Sequence, residues 1–108
     1  MRLTSELWIS AWRVRCEAAG VYLHVVHRGE RTAGDILVKL SFMDGRASLW
    51  SRTPIPDPET GQPGAFEEEV APAAEAEIDA LIARRRQRDR DLWVVEVEDR
   101  HGRHLLND

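Results

Sequence analysis

The stretch Asp91-Leu92-Trp93-Val94-Val95-Glu96-Val97-Glu98-Asp99 decides the fold. Extended, it sends Trp93, Val95 and Val97 to one face and Leu92 and Val94 to the other. A strand with one wet face would be polar at every second position. Here both faces are apolar for most of the length, which predicts an interior strand covered at least partly on both sides. Glu96 and Glu98 mark where the second face reaches solvent. Upstream, Pro72 suits the first turn of a helix running to about Asp89. Ala74, Ile78, Leu81, Ile82 and the stem of Arg85 form its apolar stripe. A helix in that position can act as a right-handed crossover and lay the last strand parallel to an earlier one.

The earlier strands are marked by alternation. Val21 to His27 sends Val21, Leu23 and Val25 one way and Tyr22, His24 and Val26 the other. Asp35 to Met43 alternates Ile36, Val38, Leu40 and Phe42 against Leu37, Lys39, Ser41 and Met43. Asp44-Gly45 is a hairpin signal, and Arg46 to Ser51 returns with Ala47 and Leu49 on one face and Trp50 on the other. These three runs are expected to form an antiparallel meander. Thr53 to Ala65 is a Pro/Gly-rich loop, and Phe66 to Val70, with three glutamates, reads as a short edge strand. Leu3 to Ala19 reads as a first helix, capped by Thr4 or Ser5 and ended by Gly20. Its expected apolar face is Leu7, Ala11, Val14 and Ala18, widened by Trp8, Trp12, Arg15 and Ala19. After Asp99 the chain turns around Gly102 and ends in an extended piece at Leu105 and Leu106. The expected fold is α+β. It has a mixed, mostly antiparallel sheet of four or five strands with two helices, in the order α-β-β-β-(β)-α-β. A three-layer α/β/α arrangement is the alternative.

The 108 residues suit one domain, spanning residues 1–108. With 43% hydrophobic and 31% charged residues, the chain is neither disordered, collagen-like nor a disulfide scaffold. The single cysteine, Cys16, excludes an internal disulfide and every multi-cysteine zinc motif. No apolar run approaches the roughly 18 residues of a membrane span. Glu6, Arg13 and Arg15 break up any signal-peptide core, so a cytoplasmic location without a membrane role is expected. The net charge of −4 is uneven, with an acidic block over residues 53–83 that contains no basic residue. Such a balance disfavours tight non-specific nucleic-acid binding, though a local basic patch is compatible with it.

Several residues are candidates for chemistry. Arg84, Arg85, Arg86, Arg88 and Arg90 are a candidate RNA contact. They also complement the dipole at the end of a helix that begins with Glu75, Glu77 and Asp79, which explains them without a ligand. Lys39, Glu96, Asp99 and His104 are the polar groups to examine for a site between the sheet and the 53–65 loop. Glu96, Glu98 and Asp99 could bind a cation or move a proton, but carboxylates at a strand end are more simply solvated. His24 and His27 stand three apart on a strand, which should put them on opposite faces. His101 and His104 flank a turn. Neither pair has a familiar zinc spacing, so no metal and no cofactor is assigned. Cys16 lacks a recognisable catalytic signature and reads as an incidental, partly buried thiol. Trp8, Trp12 and Arg15, at the margin of the first helix's apolar face, are a candidate surface for a protein partner or a second copy. No phosphate-binding glycine loop, serine nucleophile elbow, kinase or zincin signature is present.

Arg2-Leu3-Thr4-Ser5-Glu6-Leu7-Trp8 and Asp91 to Arg100, continuing to Gly102-Arg103-His104, resemble a family of short alphaproteobacterial proteins. That family is known as domain of unknown function 1491. Arg28-Gly29, Ala33-Gly34, Val38-Lys39 and Asp44-Gly45 fall in matching order between. Arg88 and Arg90 depart from the aromatic and proline that precede the last strand in that family. The resemblance implies a bacterial origin and brings no activity, cofactor or catalytic residue. Three functional classes follow: a protein-interaction or assembly module, an RNA-binding accessory protein, and an enzyme whose small-molecule ligand the sequence does not specify. The first is preferred because catalytic signatures are lacking.

Overall fold

The computed structural model of the chain describes residues 3–53, 56–61 and 64–107. Its elements follow as α1 (Ser5–Ala18), β1 (Tyr22–His27), β2 (Ile36–Ser41), β3 (Arg46–Arg52), β4 (Phe66–Ala74), α2 (Glu75–Arg88) and β5 (Trp93–Glu98). The fold is α+β, with one five-stranded sheet in the order β1-β5-β2-β3-β4. The two-sided apolar strand is interior, as its sequence requires. β5 pairs antiparallel with β1 and parallel with β2. All other pairings are antiparallel.

The expected meander is only half present. β2 and β3 form the Asp44-Gly45 hairpin, but β5 inserts between β1 and β2. The reason lies in burial. All six residues of β2 are buried, so β2 needs a neighbour on each side, and β1, with Tyr22 exposed, suits an edge. α2 carries the chain from the far edge strand β4 back across the sheet to β5.

The helices cover opposite faces, so the molecule is layered helix–sheet–helix. Ile9, Trp12 and Cys16 of α1 pack on Leu23, Ile36, Val38, Leu40, Trp93, Val95 and Val97. Ile78 and Ile82 of α2 pack on Leu37, Ala47, Leu49, Leu92 and Val94. The strand alternation assigns these two sets correctly.

Pro72 is not in the first turn of α2. It lies in β4, which runs to Ala74, and α2 starts at Glu75. An edge strand with an irregular register tolerates a residue without an N–H, and β4 shifts register between its Ala73 and Val70 pairings. Thr4 caps α1, its Oγ1 accepting from Leu7 N at 3.2 Å. At the other end Val21 N donates to Cys16 O at 2.8 Å and Gly20 N to Glu17 O at 3.1 Å, with Gly20 at φ 75°. That is a Schellman closure, which the glycine makes accessible.

The buried face of α1 is the main correction. Ser5, Ile9, Trp12 and Cys16 face the core, while Leu7 and Val14 of the expected face are exposed. Apolar residues nearly encircle this helix, so periodicity alone has no sharp direction. The large rings decide it. Trp12 is fully buried with Nε1 donating to His104 O at 2.8 Å, and Trp8 stacks on Phe66 at 5.1 Å.

Candidate functional site

Lys39 stands in the middle of a completely buried strand, on the face covered by α2. A buried ammonium needs partners. α2 supplies two through its first turns: Glu75 Oε1 at 3.1 Å and Asp79 Oδ1 at 2.9 Å from Nζ. β5 supplies the third, Glu96 Oε1 at 3.8 Å, because Lys39 and Glu96 are directly paired in register. His24 on β1, opposite Glu96, extends the row with Nε2 4.0 Å from Oε1. Its Nδ1 is buried without a hydrogen-bond partner among the described residues. Burial pulls the Lys39 pKa down, but the hydrogen bonds to Asp79 and Glu75 and the charge of Glu96 outweigh it, leaving the amine above its ordinary value. Burial raises Glu96, opposed by the charges of Lys39 and His24. Lys39 is thus held as a cation, which removes the lone pair that a nucleophilic or Schiff-base lysine uses. Its chemistry here is to fasten α2 to the sheet.

The other two members of the expected polar cluster lie elsewhere. Asp99 and His104 belong to the segment that follows β5 and folds over the α1 side. Asp99 Oδ2 accepts from His101 N and Arg103 N, and Oδ1 accepts from Arg103 Nη2 at 2.8 Å. The Arg103 contacts outweigh the effect of burial and bring the Asp99 carboxyl down to about 2. Arg103 Nη1 also donates to Ala19 O, tying the turn to the end of α1. His104 accepts from Leu106 N through Nδ1, packs its ring at a tilt against Trp50 with ring centroids 4.3 Å apart, and offers its carbonyl to Trp12. Asn107 bonds both N and O of Phe66, clasping the start of edge strand β4. These residues build a strap. Lys39 and Glu96 meet, while Asp99 and His104 do not join them.

A cavity of about 720 Å³ does lie between the sheet end and the proline-rich loop. It is lined by Asp35, Arg52, Glu69 and Arg85 among others, and by none of the four expected residues. Pro54, Ile55, Gln62 and Pro63 of that loop are outside the described residues. Cys16 is wholly rather than partly buried, its Sγ 3.8 Å from His104 O. His24 and His27 are not on opposite faces. A register shift between Val25 and His27 pairs His24 with Glu96 and His27 with Val94, so an irregular residue restores both to one face. Among the described residues no group of three or more His, Cys, Asp or Glu is placed to hold a metal ion.

The expected partner surface divides. Trp12 is core, Trp8 is half-buried with the Arg52 guanidinium 4.7 Å from its ring, and Arg15 is half-buried with Nε lacking a hydrogen-bond partner among the described residues. What α1 does expose is the set once assigned to the core. Leu7, Ala11, Val14 and Ala18 follow one another along its outer face, with Leu3 just before the helix. The arginines divide as well. Arg85 pairs with Glu69 across to β4. At about 100° per residue, Arg84 and Arg88 share one flank of α2, and Arg86 points to nearly the opposite flank. They do not form a single track.

The sequence missed Glu75, Asp79 and His24 as companions of Lys39. The signal was present: a lysine inside a run of buried positions demands carboxylates, and Glu75 and Asp79 are one turn apart on one helix face.

Gly29, Gly34, Ser5 and Trp93, among the residues that carry the resemblance, are explained by packing. A Cβ on Gly29 would lie 2.2 Å from Asp91 O and 2.6 Å from Trp93 Cδ1, and one on Gly34 would lie 2.4 Å from Asp91 O. Glu30 O accepts from Trp93 Nε1 at 2.7 Å, and Ser5 Oγ donates to Gly34 O at 2.6 Å. The 28–35 segment therefore locks the start of β5 to the start of α1.

No helix among the described residues is long and apolar enough to cross a membrane. A search of the curated proteins gave no match. Solved structures do match. A crystal structure of a DUF1491 family protein from Caulobacter crescentus CB15 is 34% identical with a TM-score of 0.79, covering 96% of this chain and 92% of that one. An NMR structure of a DUF1491 family protein from the same organism has 34% identity and a TM-score of 0.80, covering 100% and 96%. A solution structure of a protein from A. tumefaciens is 38% identical with a TM-score of 0.78, covering 91% and 86%. Residues 3–107 match the family described as "Protein of unknown function (DUF1491)", and the chain belongs to that family.

Proposed function

We propose that the chain is a small cytoplasmic protein-interaction module without catalytic activity of its own, and that it docks through the outer face of α1. One observation carries the reading. Leu3, Leu7 and Val14 are 53%, 57% and 64% exposed, with Leu7 and Val14 on one side of α1 and Leu3 just before it, while the other exposed large apolar residues, Tyr22, Val26 and Met43, lie on β1 and the turn after β2. Contiguous apolar exposure of this kind marks docking surfaces in soluble proteins. Scattered single residues would need no such account.

The shape of the stripe suggests its occupant. Spacings of four, three and four residues, with Ala11 and Ala18 leaving hollows between Leu7 and Val14, form a narrow seam. Such a seam fits an amphipathic helix of another protein better than a flat surface. Lys39, neutralised by three carboxylates, supports a scaffolding role over a reactive one.

The test is affinity capture from nuclease-treated lysate with the wild-type chain and with Leu7→Asp/Val14→Asp. The expected result is a stoichiometric protein held by the wild type and lost by the variant, while circular dichroism of the variant is unchanged. Equal capture by both would refute the assignment of this face.

A further inference from the structure

We propose that the groove between the last turn of α2 and β1 binds a small phosphorylated ligand, held by Arg86 and Arg90 beside His27. The groove has a volume of about 400 Å³ and is lined by His27, Ala83, Arg86, Gln87 and Arg90. That volume lies within the range of small-molecule sites, roughly 300–1,000 Å³.

Three of its five lining residues end in hydrogen-bond donors. Arg86, Arg90 and Gln87 line it with their stems as well as their polar ends, alongside Ala83 and the His27 ring. Arg86 and Arg90 have no carboxylate within ion-pair distance among the described residues, although the protein carries a net charge of −4. Arg28, Lys39, Arg46, Arg85 and Arg103 are each paired; Arg84 and Arg88 have no ion pair among the described residues either, but they do not line the groove. Two neighbouring cations left without a counter-ion repel one another, and an anion between them relieves that repulsion.

His27 gives the groove a fixed wall. Its Nδ1 lies 3.0 Å from Leu92 O. A carbonyl oxygen can only accept, so Nδ1 carries the hydrogen and the ring is anchored to the backbone of the connection into β5. With its hydrogen on Nδ1, the neutral ring offers Nε2 as an acceptor, to which the P–OH of a singly protonated phosphate can donate. The register shift after Val25 is what turns His27 to the α2 side, so the histidine reaches the groove through an irregularity in β1.

Phosphate is the ligand chemistry that uses all of this. Planar guanidinium forks bind its oxygens in pairs, and two forks require more acceptor oxygens than one carboxylate offers. The α2 dipole accounts for positive charge at this end of the helix. It does not account for a groove, or for an anchored histidine beside it. A nucleic-acid backbone fits less well, because Arg84 and Arg88 leave α2 on the other flank and cannot continue a phosphate track from Arg86.

The test is an NMR titration of the full chain with inorganic phosphate at constant ionic strength, following the His27 ring and the arginine Nε–H signals. Saturable shifts are expected at His27, Arg86 and Arg90 and not at Arg84 or Arg88. In Arg86→Gln/Arg90→Gln the affinity should fall at least about tenfold, the equivalent of 1.4 kcal/mol. Both side chains are exposed, so that variant keeps its fold, which its amide spectrum verifies. Non-saturating shifts, or saturation unchanged in the variant, would overturn the site. In a second arm, a single-stranded oligoribonucleotide without terminal phosphates should leave the phosphate titration unaltered. Shifts at Arg84 and Arg88 on adding it would instead show an extended nucleic-acid surface and overturn the small-ligand assignment.

Discussion

Helix α1 carries apolar residues on two opposite sides, and the two sides differ in what surrounds them. The inner side, Ile9, Trp12 and Cys16, meets the sheet and the strap after β5. There Trp12 finds a carbonyl for its ring N–H, and Trp8 beside it finds Phe66. The outer side, Leu7, Ala11, Val14 and Ala18, meets water. Hydrophobicity is similar on both, so it does not choose between them. Fit to fixed partners does: an indole needs a large, shaped site with an acceptor, which only the inner side of this fold provides. Leucine and valine, left outside, are available for a partner.

The comparison is broken most severely by Trp12→Ala. Deleting a fully buried indole costs about 3–5 kcal/mol, and its hydrogen bond to His104 is lost as well. Urea unfolding should show most of the domain's stability gone. A loss below about 1 kcal/mol would mean that the inner side does not hold the fold. Gly29→Ala comes next, because its new methyl would meet the Asp91 carbonyl and the Trp93 ring with no room to yield. Overpacking of this kind costs about 1–3 kcal/mol or more. Wild-type stability in that variant would contradict the role given to the 28–35 segment.

Lys39→Ala sharpens the contrast from the other face of the sheet. It leaves Glu75, Asp79 and Glu96 without their shared cation, at a cost of about 1–3 kcal/mol. Thermal melting should fall, and Lys39→Met, which removes the charge but keeps the stem, should recover part of the packing.

Asp99 gives a pH signature. Its pKa of about 2 in the fold lies below the ordinary 3.8, so the ionised form is favoured by folding. Its contribution is complete above about pH 4 and drains away as the pH falls toward 2. Arg103→Gln removes the main cause. The stability difference between wild type and variant should therefore shrink from pH 5 to pH 2; a constant difference would refute the pairing.

The smallest effect is expected outside. Leu7→Asp or Val14→Asp should change stability by no more than about 0.5 kcal/mol, since neither side chain reaches the core.

Much of this was legible in the sequence, for identifiable reasons. The alternation of Trp93, Val95 and Val97 against Leu92 and Val94 placed β5 inside the sheet, because a period of two maps directly onto faces. The pairing partner of β5 was not legible, since insertion between β1 and β2 depends on long-range contacts that no local pattern encodes. The facing of α1 was misread because a helix ringed with apolar residues has no preferred direction until its tryptophans find their sites. His27 was misassigned because a bulge adds one residue and resets the alternation. Of the expected polar cluster, Lys39 and Glu96 came together through strand register, and Asp99 and His104 did not. Their places in the strap follow from the Gly102 turn, where a Cβ would stand 2.8 Å from the Phe42 ring.

The central claim is that the outer side of α1 docks a protein. It is tested most directly by site-specific photo-crosslinking in cells of the source organism. A photoreactive residue would replace Val14 in one variant and Tyr22 in another. Tyr22 is a fitting control, being 61% exposed on β1, against 64% for Val14. The account predicts one discrete protein adduct from position 14 and none of comparable yield from position 22. No adduct at position 14, or the same adducts from both, would contradict it.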